Sequence, residues 1–322
     1  MNFFKSLLLI FIVFSNILFA ESKLQESIKN LPNLFLSRLV EVDSIYIFRD
    51  IPYDLLIDAD SNYFKFDVYL PKNLDTLAPI IYFIHGGSWN SGDKRFDLQN
   101  VRVLLDSGFI FVSTNYRLSP KPPELNNPNR IKYPLHIKDV AQSFAFMVKF
   151  MKFVMGDTSR IAVIGHSAGG NLALSLALMP QFLATYNLQT NIIKAVVNLD
   201  GAGLNIRDFI KSINGGYKKD FLNAFGDNVE IQEEASPTLN FAKDRLLPNT
   251  LLVYENKPTR SRFSIELADS LTAYYNRVAL MPINDYTHNE ILSKFADNSD
   301  ENSIEYTRQI INFIRSSFQK NY

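Results

Sequence analysis

Apolar and polar positions along the chain alternate between two periods. Residues 21–40 carry Leu24, Ile28, Leu31 and Leu34 at helical spacing, interrupted by Pro32, and predict a lead-in helix. Val42 to Phe48 and Tyr63 to Leu70 read as strands; Phe64, Phe66, Val68 and Leu70 fall on one face. From residue 79 the pattern changes. Short, wholly apolar runs now alternate with longer helical ones. The strands are predicted at Pro79 to Ile84, Phe109 to Asn115, Ile161 to Ile164, Ile192 to Leu199, Thr250 to Tyr254 and Val278 to Ile283. Helices are predicted at Leu98 to Leu105, Leu135 to Val154, from Asn171 onward, Ser261 to Tyr275 and Ser303 to Phe318. Apolar strands separated by helices specify a mostly parallel, doubly wound α/β sheet of about eight strands, with helices on both faces. Right-handed crossovers bring the strand C-termini to one edge, outside which ligands bind.

Two stretches break the pattern. Residues 205–248 are irregular, rich in Asn, Gly and charge, with short helix signals, and read as a cap-like insertion in a single domain spanning 21–322. Residues 1–20 have Lys5, an apolar run from Leu7 to Phe14, and Leu18-Phe19-Ala20 before Glu21. That is the form of a cleaved signal peptide and predicts a periplasmic or secreted protein. The run is broken at Ser15-Asn16, short of the ~20 residues a span needs, so no stable membrane span is expected in the mature chain.

Composition narrows the chemistry. Lys plus Arg and Asp plus Glu number 33 each, for a formal net charge of zero, and a chain without a basic footprint is a poor nucleic-acid binder. There is no Cys, hence no disulfide and no thiol nucleophile. The four His, at 85, 136, 166 and 288, show no metal-ligand spacing; neither a metal nor a cofactor is expected.

The chemistry-bearing stretch is Arg160 to Leu172, RIAVIGHSAGGNL. Strand, Gly165-His166-Ser167-Ala168-Gly169, helix is the context of a nucleophile elbow. A Ser at the tip of so sharp a turn sits in strained backbone, and side chains two positions before and after it would collide, so both are Gly. The turn exposes the Ser oxygen and leaves the Ala168 N–H free at a helix N-terminus.

His85-Gly86-Gly87-Ser88-Trp89-x-x-Gly92-x-Lys94, then Asn115-Tyr116-Arg117-Leu118, then Gly165-His-Ser167-Ala-Gly169-Gly170-Asn171 resemble, in order, the α/β-hydrolase superfamily. Within it they resemble the HGG-type carboxylesterases, hormone-sensitive-lipase-like and kynurenine-formamidase-like. The resemblance covers roughly residues 63 to 318. It implies a serine hydrolase that cleaves a small-molecule carboxylic ester through an acyl-enzyme on Ser167. His288, the last His in the chain, would be the base, and the N–H groups of Gly86, Gly87 and Ala168 the oxyanion hole. His85 would brace its loop. The carboxylate is where the chain departs from the pattern. Most relatives place an Asp shortly after the strand that here ends at Tyr254, whereas this chain reads Glu255-Asn-Lys-Pro-Thr-Arg. Asp200, ending the preceding strand, is the first choice, Glu255 the second, Asp285 the third; a site without a carboxylate is the fourth. An amidase or formamidase on the same scaffold is the nearest enzymatic alternative. A non-catalytic binding protein is the alternative of another class, supported only by the missing Asp. Substrate identity and oligomeric state are not encoded in any motif found.

Overall fold

The computed structural model describes residues 23–54 and 62–319. The signal-peptide reading of residues 1–20 lies outside the described residues. Among the described residues nine strands form one sheet: β1 (Leu39–Val42), β2 (Ile45–Pro52), β3 (Lys65–Pro71), β4 (Ala78–Ile84), β5 (Ile110–Thr114), β6 (Gly156–His166), β7 (Ile193–Leu199), β8 (Asn249–Glu255) and β9 (Val278–Ile283). The order is β1-β2-β3-β5-β4-β6-β7-β8-β9. β1, β2 and β3 pair antiparallel, as do β3 and β5; every pair from β5 through β9 is parallel. The expected sheet of about eight strands gains its ninth at the first predicted strand, which is a hairpin. Its reversal is at Asp43, in the left-handed region at φ 49°, before Ile45. An Asp tolerates that conformation better than most residues, but a period-two reading does not register it.

The helices are α1 (Lys23–Lys29), α2 (Asn33–Leu36), α3 (Leu98–Asp106), α4 (Leu135–Phe150), α5 (Ala168–Leu178), α6 (Gln181–Ala184), α7 (Ile206–Ser212), α8 (Gly215–Phe225), α9 (Val229–Glu234), α10 (Pro237–Asn240), α11 (Pro258–Thr272), α12 (His288–Ser293) and α13 (Glu301–Phe318). Two apolar clusters cover the two sheet faces, one with α4 and α5, the other with α3 and α13. Central strands such as β4, APIIYFI, are buried on both faces, which is why they read as continuous apolar runs. Helix α5 is enclosed on all sides, with each of its 11 residues buried, and its sequence is correspondingly apolar around its whole circumference.

The irregular segment 205–248 holds four short helices, α7 to α10. It shares the core: Phe209, Phe221 and Phe225 belong to the same cluster as α4 and α5. It also docks on the loop after β5. Arg130 donates to the carbonyls of Leu222 and Asn223, and the Asn223 amide donates to the Pro120 carbonyl. Trp89 is enclosed edge-on by Phe221 and Phe225, with ring centroids 5.0 and 4.8 Å away.

Candidate active site

One edge of the sheet collects the chemistry, because β4, β6, β7, β8 and β9 all point the same way. Gly86 and Gly87 follow β4, Ser167 follows β6, Asp200 follows β7, Glu255 ends β8, and His288 follows β9.

Ser167 sits in the left-handed half of backbone space, at φ 55° and ψ −119°. The turn is locked from both sides. Its N–H donates to the Leu199 carbonyl at 3.1 Å, and its own carbonyl accepts from Gly170 at 2.9 Å and Ala202 at 3.2 Å. The flanking glycines have the steric reason that the sequence suggested. A Cβ on Gly165 would lie 2.0 Å from the Gly169 carbonyl oxygen, and one on Gly169 would lie 2.2 Å from that of Ile84. Ala168 is the first residue of α5, so its N–H has no acceptor within the helix. Gly86 lies against the same turn; a Cβ there would be 2.9 Å from the Ser167 Cβ. Gly87, at φ 109°, closes the loop, and its carbonyl accepts from Asn90 and Ser91.

His288 is placed by its own helix start. Thr287 caps α12 in a reciprocal box with Glu290, whose carboxylate accepts from the Thr287 N–H at 2.9 Å. The imidazole bridges two groups. Nε2 is 3.0 Å from Ser167 Oγ, and Nδ1 is 2.5 Å from Asp200 Oδ2. Asp200 is buried and anchored by its N–H to the Val253 carbonyl at 2.8 Å; its Oδ1 accepts the Glu255 N–H at 3.1 Å. Burial pushes the Asp200 carboxyl up. The bond from His288, the nearby Arg260 guanidinium and the Glu255 N–H outweigh it, and the group is held below the usual carboxylate value.

The three carboxylates left open by the sequence are thereby separated. Asp200 meets His288. The Glu255 side chain turns to Lys257, 2.5 Å away, and only its main chain touches the site. Asp285 is exposed on the loop before α12.

The other histidines are neutral and buried. His85 is stacked on Tyr116 at 4.4 Å and its Nδ1 donates to the Gly86 carbonyl at 2.7 Å, so it holds the glycine loop in shape. Burial lowers its pKa to about 4, against which that bond works only partly. His166 packs on the His288 ring at 4.7 Å and its Nε2 donates to the His288 carbonyl at 3.0 Å. Burial, then the neighbouring His288, lowers it to about 4. His136 bonds Ser119 Oγ at 3.0 Å inside the core; burial and then Arg117 bring it to about 3.

Two contributors escape the sequence reading. The capping box was there to be found, since Thr287-x-x-Glu290 is its signature. Arg260 carries no local signal at all. Among the described residues no group of three or more His, Cys, Asp or Glu could hold a metal ion. Chemically, the arrangement can pass a proton from a hydroxyl to an imidazole whose far nitrogen is fixed by a buried carboxylate.

A family model, BD-FAE, matches residues 66–243, more than half of the chain. Among curated proteins, the chain is 33% identical over 143 residues to a probable carboxylic ester hydrolase, LipM, of Mycobacterium tuberculosis, covering 42% of this chain and 30% of that protein. It is 27% identical over 255 residues to the isoprenylcysteine alpha-carbonyl methylesterase ICME of Arabidopsis thaliana, covering 74% and 55% respectively. The match thus spans between about a third and about half of the length of these relatives. Among solved structures, esterase B from Lactobacillus rhamnosis superposes with a TM-score of 0.67 at 16% identity, over 89% of this chain and 90% of that one. At that identity the likeness is one of fold.

Proposed function

The chain belongs to the BD-FAE family and has the α/β-hydrolase fold, and on that premise we propose that it is a serine carboxylesterase working through an acyl-enzyme on Ser167. The observation that carries the reading is the continuous relay Ser167 Oγ–His288–Asp200, with steps of 3.0 and 2.5 Å. As Ser167 Oγ attacks the ester carbonyl, His288 Nε2 takes its proton, and Asp200 stabilises the imidazolium that forms. The carbonyl oxygen becomes an oxyanion that the N–H groups of Gly86, Gly87 and Ala168 face. Each such donor lowers the barrier by about 2.7–4 kcal/mol. Collapse breaks the C–O bond to the alcohol, which leaves with the imidazolium proton. A water, deprotonated by the same His288, then attacks the acyl-enzyme, and the acid departs as Ser167 recovers its proton. Segment 205–248, seated on Trp89 and on the loop after β5, roofs the pocket. Residues 1–20 direct export to the periplasm or beyond and are removed before Glu21.

One experiment reads both ends of the proposal. Protein recovered from its natural source is labelled with a fluorophosphonate and analysed by mass spectrometry. The expected result is an adduct on Ser167 in a chain that begins at Glu21. An adduct on Ser88 or Ser91, or none, would overturn the mechanism; a chain retaining residues 1–20 would overturn the export.

A further inference from the structure

Arg260 is a largely covered cation packed against the carboxylate that holds His288. It comes from the first turn of α11, and its side chain is 15% exposed beside an Asp200 side chain at 0%. Nε is 3.5 Å from Asp200 Oδ2, the same oxygen that contacts His288 Nδ1. Nη1 reaches the carbonyls of Asp200 and Gly201, each at 3.4 Å. The guanidinium lies 5.8 Å from the Phe209 ring centroid, and it is close enough to the Tyr217 hydroxyl to act on it electrostatically. α7, α8 and α11 therefore all converge on this one group.

We infer that Arg260 is a positioning residue for the reaction: it neutralises and orients Asp200, and through Asp200 it sets the proton affinity of the Ser167–His288 pair. The inference rests on the serine-hydrolase reading above. The charge balance motivates it. The proposed mechanism uses His288 as a base, which must carry no proton on Nε2 before attack, and Asp200 would then be a buried carboxylate with no counter-ion, a costly arrangement. Arg260 supplies the missing charge. It also occupies the side of Oδ2 that His288 leaves, while the Glu255 N–H fills Oδ1. The carboxylate then has one orientation rather than several. Without the cation, the anionic site would draw a proton onto His288 before substrate arrives, and an imidazolium cannot act as base.

The other charged and titratable groups around the pair do not substitute for it. His166 on β6 faces both His288 and Asp200 but is neutral well below pH 6. Tyr306 on α13, near Asp200, is buried and driven further from ionisation. On α8, Tyr217 is driven further from ionisation by burial, and Asp220, an anion, accepts from the Asn90 amide at 2.9 Å. Glu290 on α12 is tied to Thr287, and Glu255 to Lys257.

The test measures kcat, KM and the pH profile of kcat/KM on p-nitrophenyl acetate for the mature wild-type protein, Arg260→Gln and Arg260→Lys. In Arg260→Gln the acid limb of kcat/KM should move to higher pH by about one unit, and kcat should fall about tenfold, with KM within about twofold. Arg260→Lys, which keeps the charge and loses the fork, should hold the limb near its wild-type position and recover part of kcat. A residue of merely structural importance would leave the limb in place. An unmoved limb in folded Arg260→Gln, or a loss confined to KM, would overturn the inference. Should the Gln variant not fold, as judged by circular dichroism, Arg260→Met keeps the stem against Phe209 and is read in the same way. Ser167→Ala separates the two levels. Turnover surviving in Ser167→Ala defeats the serine-hydrolase reading itself, whereas an inactive Ser167→Ala with an unmoved Arg260→Gln limb defeats only the role of Arg260.

Discussion

Asp200 and Glu255 sit at the ends of adjacent parallel strands and touch within one hydrogen bond, yet they do different things. Asp200 presents its side chain to His288 Nδ1; Glu255 presents its main-chain N–H to Asp200 and its side chain to Lys257. Substitution should separate them sharply. Asp200→Asn removes the charge that stabilises the imidazolium and offers the ring a donor or acceptor at random, so kcat should fall by about 10⁴. Glu255→Gln leaves the N–H that holds Asp200 untouched, and most of the activity should survive. Steady-state kinetics on a short-chain ester checks this; a larger loss in Glu255→Gln than in Asp200→Asn would reverse the assignment. Asp200 itself sits at φ 46°, and a residue held there by its Val253 bond and by Glu255 has its carboxylate aimed before any substrate binds.

The β6–α5 elbow depends on backbone meeting backbone. Gly165 and Gly169 are each within 2.2 Å of a carbonyl oxygen, measured from where a Cβ would stand, and both carbonyls belong to regular elements: one lies in the first turn of α5 and the other ends β4. Ser167, in its left-handed conformation, stores about 1–3 kcal/mol of strain that these contacts maintain. Gly165→Ala and Gly169→Ala should therefore lower the melting temperature by more than about 5 °C or give insoluble protein. Gly216→Ala is the control. It lies within α8 with nothing within 4 Å of its Cβ position, and there alanine's helix propensity should leave stability unchanged or raise it by up to about 1 kcal/mol. Thermal melts of the three variants decide the point. Equal behaviour at 165 and 216 would mean that the elbow is looser than these contacts require.

Three of the four histidines are buried and uncharged, and this ties the stability of the whole molecule to pH. His85 and His166 fall to about 4 and His136 to about 3 on folding, from an unfolded value of 6.5. The folded state thus binds fewer protons than the unfolded chain between those limits. Stability is complete above pH 6.5 and declines as pH falls, flattening only below the folded values. Each of these groups contributes on the order of 3 kcal/mol over that range. Asp200, depressed rather than raised, adds to the loss at the acid end. Urea midpoints measured from pH 7.5 to 4 should fall steadily, with most of the decline below 6.5. A flat profile down to pH 4.5 would contradict the burial of these rings as uncharged groups.

Much of this was legible in the chain. Wherever an element is buried on both faces, its residues are apolar throughout, so β4, β5, β6 and β7 could be read without coordinates. So could the elbow, because only Gly fits where Gly165 and Gly169 stand, and the meeting of Gly86–Gly87, Ser167, Asp200 and His288 at one edge followed from parallel strands. Sequence spacing could not decide which carboxylate meets the ring. Both candidates end neighbouring strands, and a side chain's direction at a strand's last residue depends on local φ and ψ: the left-handed turn at Asp200 aims it at His288, while Glu255 turns out to Lys257. Nor could it show the hairpin at Asp43, a single-residue event within an apolar run. Arg260, sixty residues beyond Asp200 and unmarked by any motif, becomes part of the site only because α11, packed against β8 and β9, starts beside the residue that follows β7. Periodicity encodes which face of an element is covered; which charged side chains then share a buried space is decided by how the elements are laid against one another.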